Sequence, residues 1–239
     1  KYSRENEQEA DQFGLGFLVD SGFGPSGMTQ AFEKIRKMQW LAGGGDVPSY
    51  LTTHPGLDER VGYIQERVNR LPDRTRKKVS DNTRFTRVQM LVQAWFTDPG
   101  TALAVFTSSE KFPPCLSRLG KAIALSRLRQ IEAAKAAFAE AMPCGGNDAL
   151  WKREFGRFAF DFGQLPTAVA ALQEAVLKNH DDLYALFFYA RAVAEQGNYQ
   201  AAISAMQKIA KTVPRDFEVL ENLARYHAAL GDHFVGHLC

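Results

Sequence analysis

Long apolar runs, a large excess of charge of one sign and closely spaced cysteines are all missing from this 239-residue sequence. No apolar run approaches the length needed to cross a bilayer, so we predict no transmembrane segment. The 29 basic and 27 acidic residues nearly cancel to a net charge of +2, which argues against nucleic acid or a membrane surface as the partner. A hydrophobic content of 45% is ordinary for a globular protein.

The three cysteines, Cys115, Cys144 and Cys239, form no CxxC pair, which excludes a zinc ribbon and a thioredoxin-type motif. Cys115 begins one predicted helix and Cys144 ends the next, and antiparallel helices bring those two ends to the same side. Either a disulfide or two free thiols fits this arrangement.

Residues 3–20 have the periodicity of an α-helix that carries two acidic residues on its inner side. Glu7 and Asp11 are one turn apart and extend the predicted core face. Two inward carboxylates are costly unless a cation, a donor or a metal meets them, so this face is a candidate for chemistry. The alternative is a solvated, acidic first turn that complements the positive end of the helix. The apolar residues of the predicted core face are Ala10, Gly14, Phe17 and Leu18.

Two more helices are predicted before a boundary. One runs from about Pro25 to Trp40, and another covers roughly residues 57–71, with apolar residues at helical spacing. Residues 73–80 follow as a polar, basic segment after Pro72 and are predicted to be a linker.

Beyond the linker the sequence repeats every 34 residues, which is the period of tetratricopeptide (TPR) helix pairs. Gly163, Gly197 and Gly231 mark the turn, and Arg129 holds the same place one period earlier. Ala134, Ala168 and Ala202 follow Arg129, Gly163 and Gly197 by five residues, and small side chains there let paired helices approach closely. The sequence predicts an all-α fold with a degenerate repeat at 81–114, repeats at 115–148, 149–182 and 183–216, and a partial repeat at 217–239.

Residues 1–72 resemble the C-terminal part of the HExxH zinc metallopeptidases that include HtpX, the CAAX prenyl endopeptidases and the periplasmic BepA proteins. The resemblance rests on three stretches in order: Ser3-Arg4…Glu7-x-x-Ala10-Asp11, Ser21-Gly22-Phe23-x-Pro25, and Thr53-His54-Pro55…Arg60-Val61. A catalytic half joined to TPR repeats is the BepA arrangement in particular.

The resemblance implies roles for four residues. Glu7 matches the third zinc ligand, and Asp11 matches a carboxylate that orients a ligand histidine. His54 matches a histidine that lies near the metal and can guard its open position. Arg60 matches a recurrent arginine that fixes this loop or pairs with a carboxylate.

The sequence departs from this family by containing no HExxH, the motif that supplies two zinc ligands and the general base. We therefore expect zinc in the parent protein but an inactive fragment here, because a catalytic site needs three protein ligands. With no initiator methionine and no signal peptide, we expect a piece of a longer protein. Its exposed face within residues 1–72 predicts oligomerisation.

Arg157, Arg191 and Arg225 are 34 residues apart and occupy one position of the first helix in successive repeats. We call these three residues the arginine ladder. In TPR geometry this position faces the concave groove, where arginines would recognise carboxylates of an acidic segment or a chain terminus. The alternative is a set of exposed ion pairs with Asp161, Glu195 and Glu221, one turn away.

The leading hypothesis is a periplasmic zinc metalloendopeptidase whose TPR groove recruits protein substrates or an assembly partner, by resemblance in outer-membrane protein quality control. The second hypothesis is a non-catalytic TPR adaptor that binds peptides in its groove. The two differ at Glu7 and His54, which should converge on one cavity in a peptidase and point to solvent in an adaptor.

Overall fold

The computed structural model describes residues 4–41, 57–108 and 110–231, and within those ranges it contains thirteen helices and no strand. The predicted all-α fold is confirmed. The chain divides into two compact units, Lys1–Arg84 and Phe85–Cys239. None of the helices in the described ranges combines the length and the apolarity that a bilayer-spanning helix needs.

The N-terminal unit contains four described helices around a small apolar core. Its core residues are Leu15, Ile64 and Val68, with Met28 and Phe32 packed at the edge. The predicted linker contains one turn of helix. Its last residue, Ser80, contacts the loop before the second helix, where the Gly24 N–H donates to Ser80 Oγ at 2.9 Å. The helices are α1 (Arg4–Asp20), α2 (Ser26–Leu41), α3 (Leu57–Arg70) and α4 (Asp73–Arg76).

The buried face of α1 differs from the predicted face. Phe17 is 68% exposed and Ala10 is also exposed, whereas Leu15, which the prediction left out, is only 5% exposed. Apolar residues surround the second half of α1, so two different stripes satisfy helical spacing. Packing against Ile64 and Val68 on α3 selects the stripe that contains Asp11 and Leu15.

The C-terminal unit is a series of antiparallel helix pairs. The glycines predicted at the inter-helix turns, Gly163, Gly197 and Gly231, all have positive φ angles, which glycine adopts without steric cost. Ala134, Ala168 and Ala202 follow Arg129, Gly163 and Gly197 by five residues and are completely buried. The helices are α5 (Thr83–Phe96), α6 (Pro99–Ser108), α7 (Pro114–Arg127), α8 (Ile131–Gly145), α9 (Ala149–Asp161), α10 (Leu165–Lys178), α11 (Leu183–Glu195), α12 (Tyr199–Thr212) and α13 (Phe217–Ala229).

Acidic or amide side chains begin several of these helices. Asp148, Asp182, Asn198 and Asp216 each accept a hydrogen bond from a backbone N–H in the first turn of the following helix. Such N-caps satisfy donors that have no partner inside the helix, and each stabilises its helix by about 1 kcal/mol. Asp148, Asp182 and Asp216 recur at the 34-residue period, so the start of the first helix in these three repeats follows from the sequence.

Cys115 and Cys144 form a disulfide with a Cα–Cα distance of 5.5 Å. Of the two arrangements that the sequence left open, the structure has the bridge. It joins the start of α7 to the end of α8 and closes a segment with a sequence separation of 29. The bridge therefore connects the two helices of one repeat.

Replacing both cysteines by serine is expected to lower the free energy of unfolding by about 3–4 kcal/mol, because the bridge limits the freedom of the unfolded chain. Urea unfolding of the oxidised protein and the double variant would measure this difference. A reductant should lower the midpoint of the wild type and leave the variant unchanged. Equal midpoints for both proteins under oxidising conditions would show that the bridge does not stabilise the fold.

Candidate functional site

The N-terminal unit brings two carboxylates of α1 against a cation and a phenol of α3. Glu7 and Asp11 are separated by four residues and Arg60 and Tyr63 by three, so each pair shares one face of its helix. We call these four residues the carboxylate cluster. Sequence reasoning predicted three of its members and missed Tyr63, which its i+3 relation to Arg60 could have indicated.

Asp11 is the centre of the carboxylate cluster and is only 3% exposed. Arg60 binds it with two parallel hydrogen bonds, Nε to Oδ2 at 2.7 Å and Nη2 to Oδ1 at 2.6 Å. The Tyr63 hydroxyl donates to Oδ2 at 2.5 Å. The bidentate geometry fixes the carboxylate in orientation as well as in position.

Arg60 also contacts the second carboxylate, with Nη1 at 3.0 Å from Glu7 Oε2. The guanidinium lies 4.6 Å from the centre of the Phe32 ring, which packs on its flat side. One arginine therefore connects Glu7 and Asp11 of α1 to α3. The Glu7 side chain is 18% exposed, so it lies against the protein rather than in open solvent.

The environment keeps Arg60 charged and Tyr63 protonated. The hydrogen bond to Asp11 is the main cause that raises the pKa of Arg60, and the charge of Asp11 adds to it. Burial, followed by the hydrogen bond to Asp11, raises the pKa of Tyr63 well above its ordinary value. Tyr63 therefore acts as a hydrogen-bond donor at any physiological pH.

The described residues do not complete a zinc site. No group of three or more histidine, cysteine, aspartate or glutamate side chains with metal-binding geometry occurs in ranges 4–41, 57–108 and 110–231. The cluster offers carboxylate oxygens and no imidazole, whereas catalytic zinc takes three protein ligands, usually with histidine among them. His54 lies outside the described residues. We derive no catalytic step through a metal from this chain.

The arginine ladder lies on the first helices of three successive repeats, α9, α11 and α13. Arg157 is 3.5 Å from Asp161, and Arg191 is 3.8 Å from Glu218 of the next repeat. Arg225 is exposed. Both ion pairs are long, and pairs of this kind contribute little to stability.

Aromatic rings surround the ladder, and periodicity did not indicate them. The Arg157 guanidinium lies 3.7 Å from the centre of the Trp95 ring and 4.8 Å from that of Phe188. Arg191 lies 5.0 Å from the centre of Phe160. The aromatic rings come from helices of different repeats, so only the folded array brings them to the arginines.

A buried ionic network lies beneath the ladder and was also missed. Glu154 accepts from Trp95 Nε1 at 3.0 Å and from Arg153 Nε at 2.8 Å and Nη2 at 2.6 Å. Arg153 Nη1 reaches Asp182 Oδ2 at 3.1 Å. The negative charges of Glu154 and Asp182 outweigh the effect of burial and raise the pKa of Arg153. The network holds Trp95 in place under Arg157.

The observations so far define a helical unit with a buried carboxylate cluster, followed by a TPR solenoid. Residues 1–68 match Peptidase family M48, and residues 153–216 and 195–233 match the tetratricopeptide repeat. The chain therefore contains part of an M48 peptidase domain joined to TPR repeats, and the resemblance seen in the sequence is confirmed.

Two curated relatives cover different lengths of the chain. The beta-barrel assembly-enhancing protease of Yersinia pestis is 23% identical over 235 residues, which is 96% of this chain and 47% of that protein. Metalloprotease YcaL of Escherichia coli is 34% identical over 68 residues, which is 28% of this chain and 25% of that protein. The chain thus spans less than half of the length of either relative.

A solved structure titled MamA MSR-1 C2 has a similar fold. It matches with a TM-score of 0.52 and 15% identity, and the match covers 64% of this chain and 90% of that one. At this identity the match supports the TPR fold alone.

Proposed function

We propose that this chain is part of a zinc-dependent metalloendopeptidase of the bacterial periplasm, with Glu7 as one zinc ligand and a TPR module that recruits proteins. The remaining zinc ligands and the general base come from an HExxH segment outside this chain. Asp11 orients a ligand histidine, and His54 guards the open position of the metal. The recruited proteins are outer-membrane proteins or the components that assemble them.

The carboxylate cluster is the observation that carries this proposal. Asp11 is buried, and Arg60 and Tyr63 fix its orientation through three hydrogen bonds. A carboxylate held in this way is suited to orient another polar group, as the partners of metal ligands do. Glu7 lies one turn away and against the protein, whereas a solvated helix start would leave it fully exposed.

Two further observations support the periplasmic and quality-control parts. The Cys115–Cys144 disulfide is typical of an oxidising compartment. The relative that aligns with nearly the whole chain is named a beta-barrel assembly-enhancing protease. The alternative is a non-catalytic TPR adaptor that binds peptides in its groove, which the arginines and aromatic rings along the first helices of the repeats would serve equally well.

Zinc content distinguishes the peptidase from the adaptor. In the full-length protein, Glu7→Gln is expected to lower zinc affinity by about tenfold to a hundredfold or more. Mutation of a residue that only hydrogen-bonds a metal ligand already lowers affinity by about that much, and loss of a ligand itself should lower it at least as far. Elemental analysis after dialysis and cleavage of unfolded casein would measure the loss. Glu9→Gln is the matched control, since Glu9 is on the same helix and exposed. Wild-type protein without zinc, or a Glu7→Gln variant with full zinc and activity, would contradict the proposal.

We also propose that the chain self-associates through residues 1–72. Phe13 and Phe17 are exposed on α1, with ring centres 6.5 Å apart. These two exposed rings would pack against a second copy of the chain or against the remaining part of the peptidase domain. Sedimentation of the 239-residue chain and of a Phe13→Ser, Phe17→Ser variant would test it, and a monomeric wild type at high concentration would count against it.

A further inference from the structure

Three clefts follow one another along the first helices of the repeats, and ladder arginines lie where the clefts meet. Arg157 lines the first two clefts, and Arg191 lines the second and third. The second cleft has a volume of about 540 Å³ and contains the aromatic residues Tyr184, Phe187 and Phe188. Alternating cationic and aromatic positions suit an extended segment that alternates acidic and apolar side chains.

The first cleft, which we call the Trp95 pocket, is the most basic of the three. Three arginines and a single carboxylate line it, so its charge is positive. Arg127 Nη1 is occupied by the carbonyl oxygens of Ala94 and Thr97 at the end of α5. The other two arginines therefore provide the donors for a ligand. The lining residues are Trp95, Ser126, Arg127, Arg129, Arg157, Asp161 and Phe162.

Arg129 has an unusual backbone conformation for its residue type. Its φ angle is +59°, and it is the one non-glycine residue with positive φ in the described part of the chain. The later repeats carry glycine at this place, which adopts the conformation without steric cost. A strained residue at a cleft is a reason to look for a function of its side chain. The guanidinium lies over Phe162, 5.3 Å from the ring centre, at the pocket.

Arg157 brings an incompletely satisfied cation to the same pocket. Its Nε is buried and makes no hydrogen bond to any described residue, and Asp161 Oδ2 lies 3.5 Å from it, at the distance of a long ion pair. Burial is the main cause that lowers the pKa of Arg157, and Asp161 only partly offsets it. The Trp95 ring covers one side of the guanidinium at 3.7 Å. A carboxylate bound in the pocket would supply a further negative charge beside this desolvated guanidinium.

We propose that the Trp95 pocket binds the carboxylate of an aspartate or glutamate side chain in an extended peptide segment, held between Arg129 and Arg157. The flanking apolar residues of that segment lie in the aromatic cleft beside Tyr184 and Phe188. The ladder requires carboxylates at several points along the segment, which side chains supply and a single chain terminus does not. This inference rests on the proposed recruitment of proteins by the TPR module. It adds that the recruited segment is acidic and that Arg129, which is not a ladder residue, binds it.

Arg129→Gly is the test variant, because glycine adopts the observed backbone conformation and the unfolding midpoint should stay equal or rise. The probe is a short fluorescein-labelled peptide in which glutamate alternates with leucine or tyrosine, titrated against the 239-residue chain. Arg129→Gly is expected to weaken binding about tenfold to a hundredfold, as for a lost charge-assisted hydrogen bond. Arg215→Gly is the matched control, since Arg215 is exposed in a turn and does not line the pocket.

Two chemical controls identify the ligand group. A peptide with glutamine in place of glutamate should not bind, and amidation of the peptide terminus should change nothing. Loss of binding on amidation would show that a chain terminus is the ligand and would overturn the assignment to side chains. Displacement of the probe by inorganic phosphate at the same concentration as the peptide would also overturn the assignment, because the pocket would then bind anions in general.

A second variant separates the pocket from the groove as a whole. Arg191→Glu should also weaken probe binding if the ladder recruits acidic segments. If Arg191→Glu weakens binding and Arg129→Gly does not, the pocket inference is wrong and the groove proposal stands. If the wild-type chain does not bind the probe at all, the pocket inference and the groove proposal are both wrong. The zinc experiment on Glu7 would still test the peptidase proposal independently.

Discussion

Replacement of Asp11 by alanine is expected to lower the free energy of unfolding of the N-terminal unit by about 3–5 kcal/mol. The variant removes three hydrogen-bond acceptor contacts and leaves the Arg60 guanidinium partly buried with one carboxylate fewer. The Tyr63 hydroxyl also loses its closest acceptor. A loss of this size approaches the total free energy of unfolding of a small domain. The N-terminal unit should therefore be unfolded in a large fraction of the variant molecules.

Hydrogen exchange measured by mass spectrometry would localise this effect. Amides of α1 and α3 should lose protection in Asp11→Ala, while amides of α11 and α12 in the C-terminal unit serve as an internal reference. Glu9→Ala, an exposed change on the same helix, should alter stability by no more than about 0.5 kcal/mol. Unchanged protection of α1 and α3 would mean that the carboxylate cluster does not hold the unit together.

Replacement of Glu154 by alanine is expected to have a similar effect on the C-terminal unit, about 3–5 kcal/mol. Glu154 is only 1% exposed and accepts three hydrogen bonds from Trp95 and Arg153. Its loss leaves Arg153, whose side chain is mostly buried, with Asp182 as its remaining acidic partner. It also removes the acceptor that holds the Trp95 indole in place, so the variant should change the tryptophan fluorescence of the folded protein.

Urea unfolding followed by circular dichroism would measure the Glu154 effect. Glu174→Ala is the matched control, because Glu174 pairs with Lys152 of α9, the helix that carries Glu154, but is half exposed, and such pairs contribute about 0–1 kcal/mol. Glu154→Gln should be milder than Glu154→Ala, since the amide oxygen still accepts from Trp95. Equal midpoints for Glu154→Ala and Glu174→Ala would contradict a stabilising role for the buried network.

The helix positions of this protein could be predicted from the sequence because each depends on local rules. Turn glycines with positive φ, acidic N-caps and buried alanines recur with the repeat, so each helix pair is specified by its own residues. In α1 the same reasoning failed for Phe17, because apolar residues occur around the second half of that helix and local spacing cannot choose among them. Contact with α3 made the choice.

The candidate sites were predictable only in part. The spacing of Glu7 and Asp11, and the 34-residue spacing of the arginine ladder, are visible in the sequence because one helix face or one repeat position carries them. Tyr63 joins the carboxylate cluster from a helix some fifty residues away, with a separation of 52 from Asp11. The i+3 relation to Arg60 places Tyr63 on the same face of α3, but no local period shows that this face meets Asp11.

The amino-acid sequence by itself determined the helical architecture, the repeat array and the acidic face of the first helix, since short-range periodicity and turn chemistry are sufficient for these. The tertiary structure alone decided that Arg60 binds both carboxylates, that Glu154 lies under Trp95, and that Arg129 and Arg157 line one pocket. Those contacts join residues from different helices. Their distances depend on how the helices pack, and packing is a property of the whole fold rather than of any one segment.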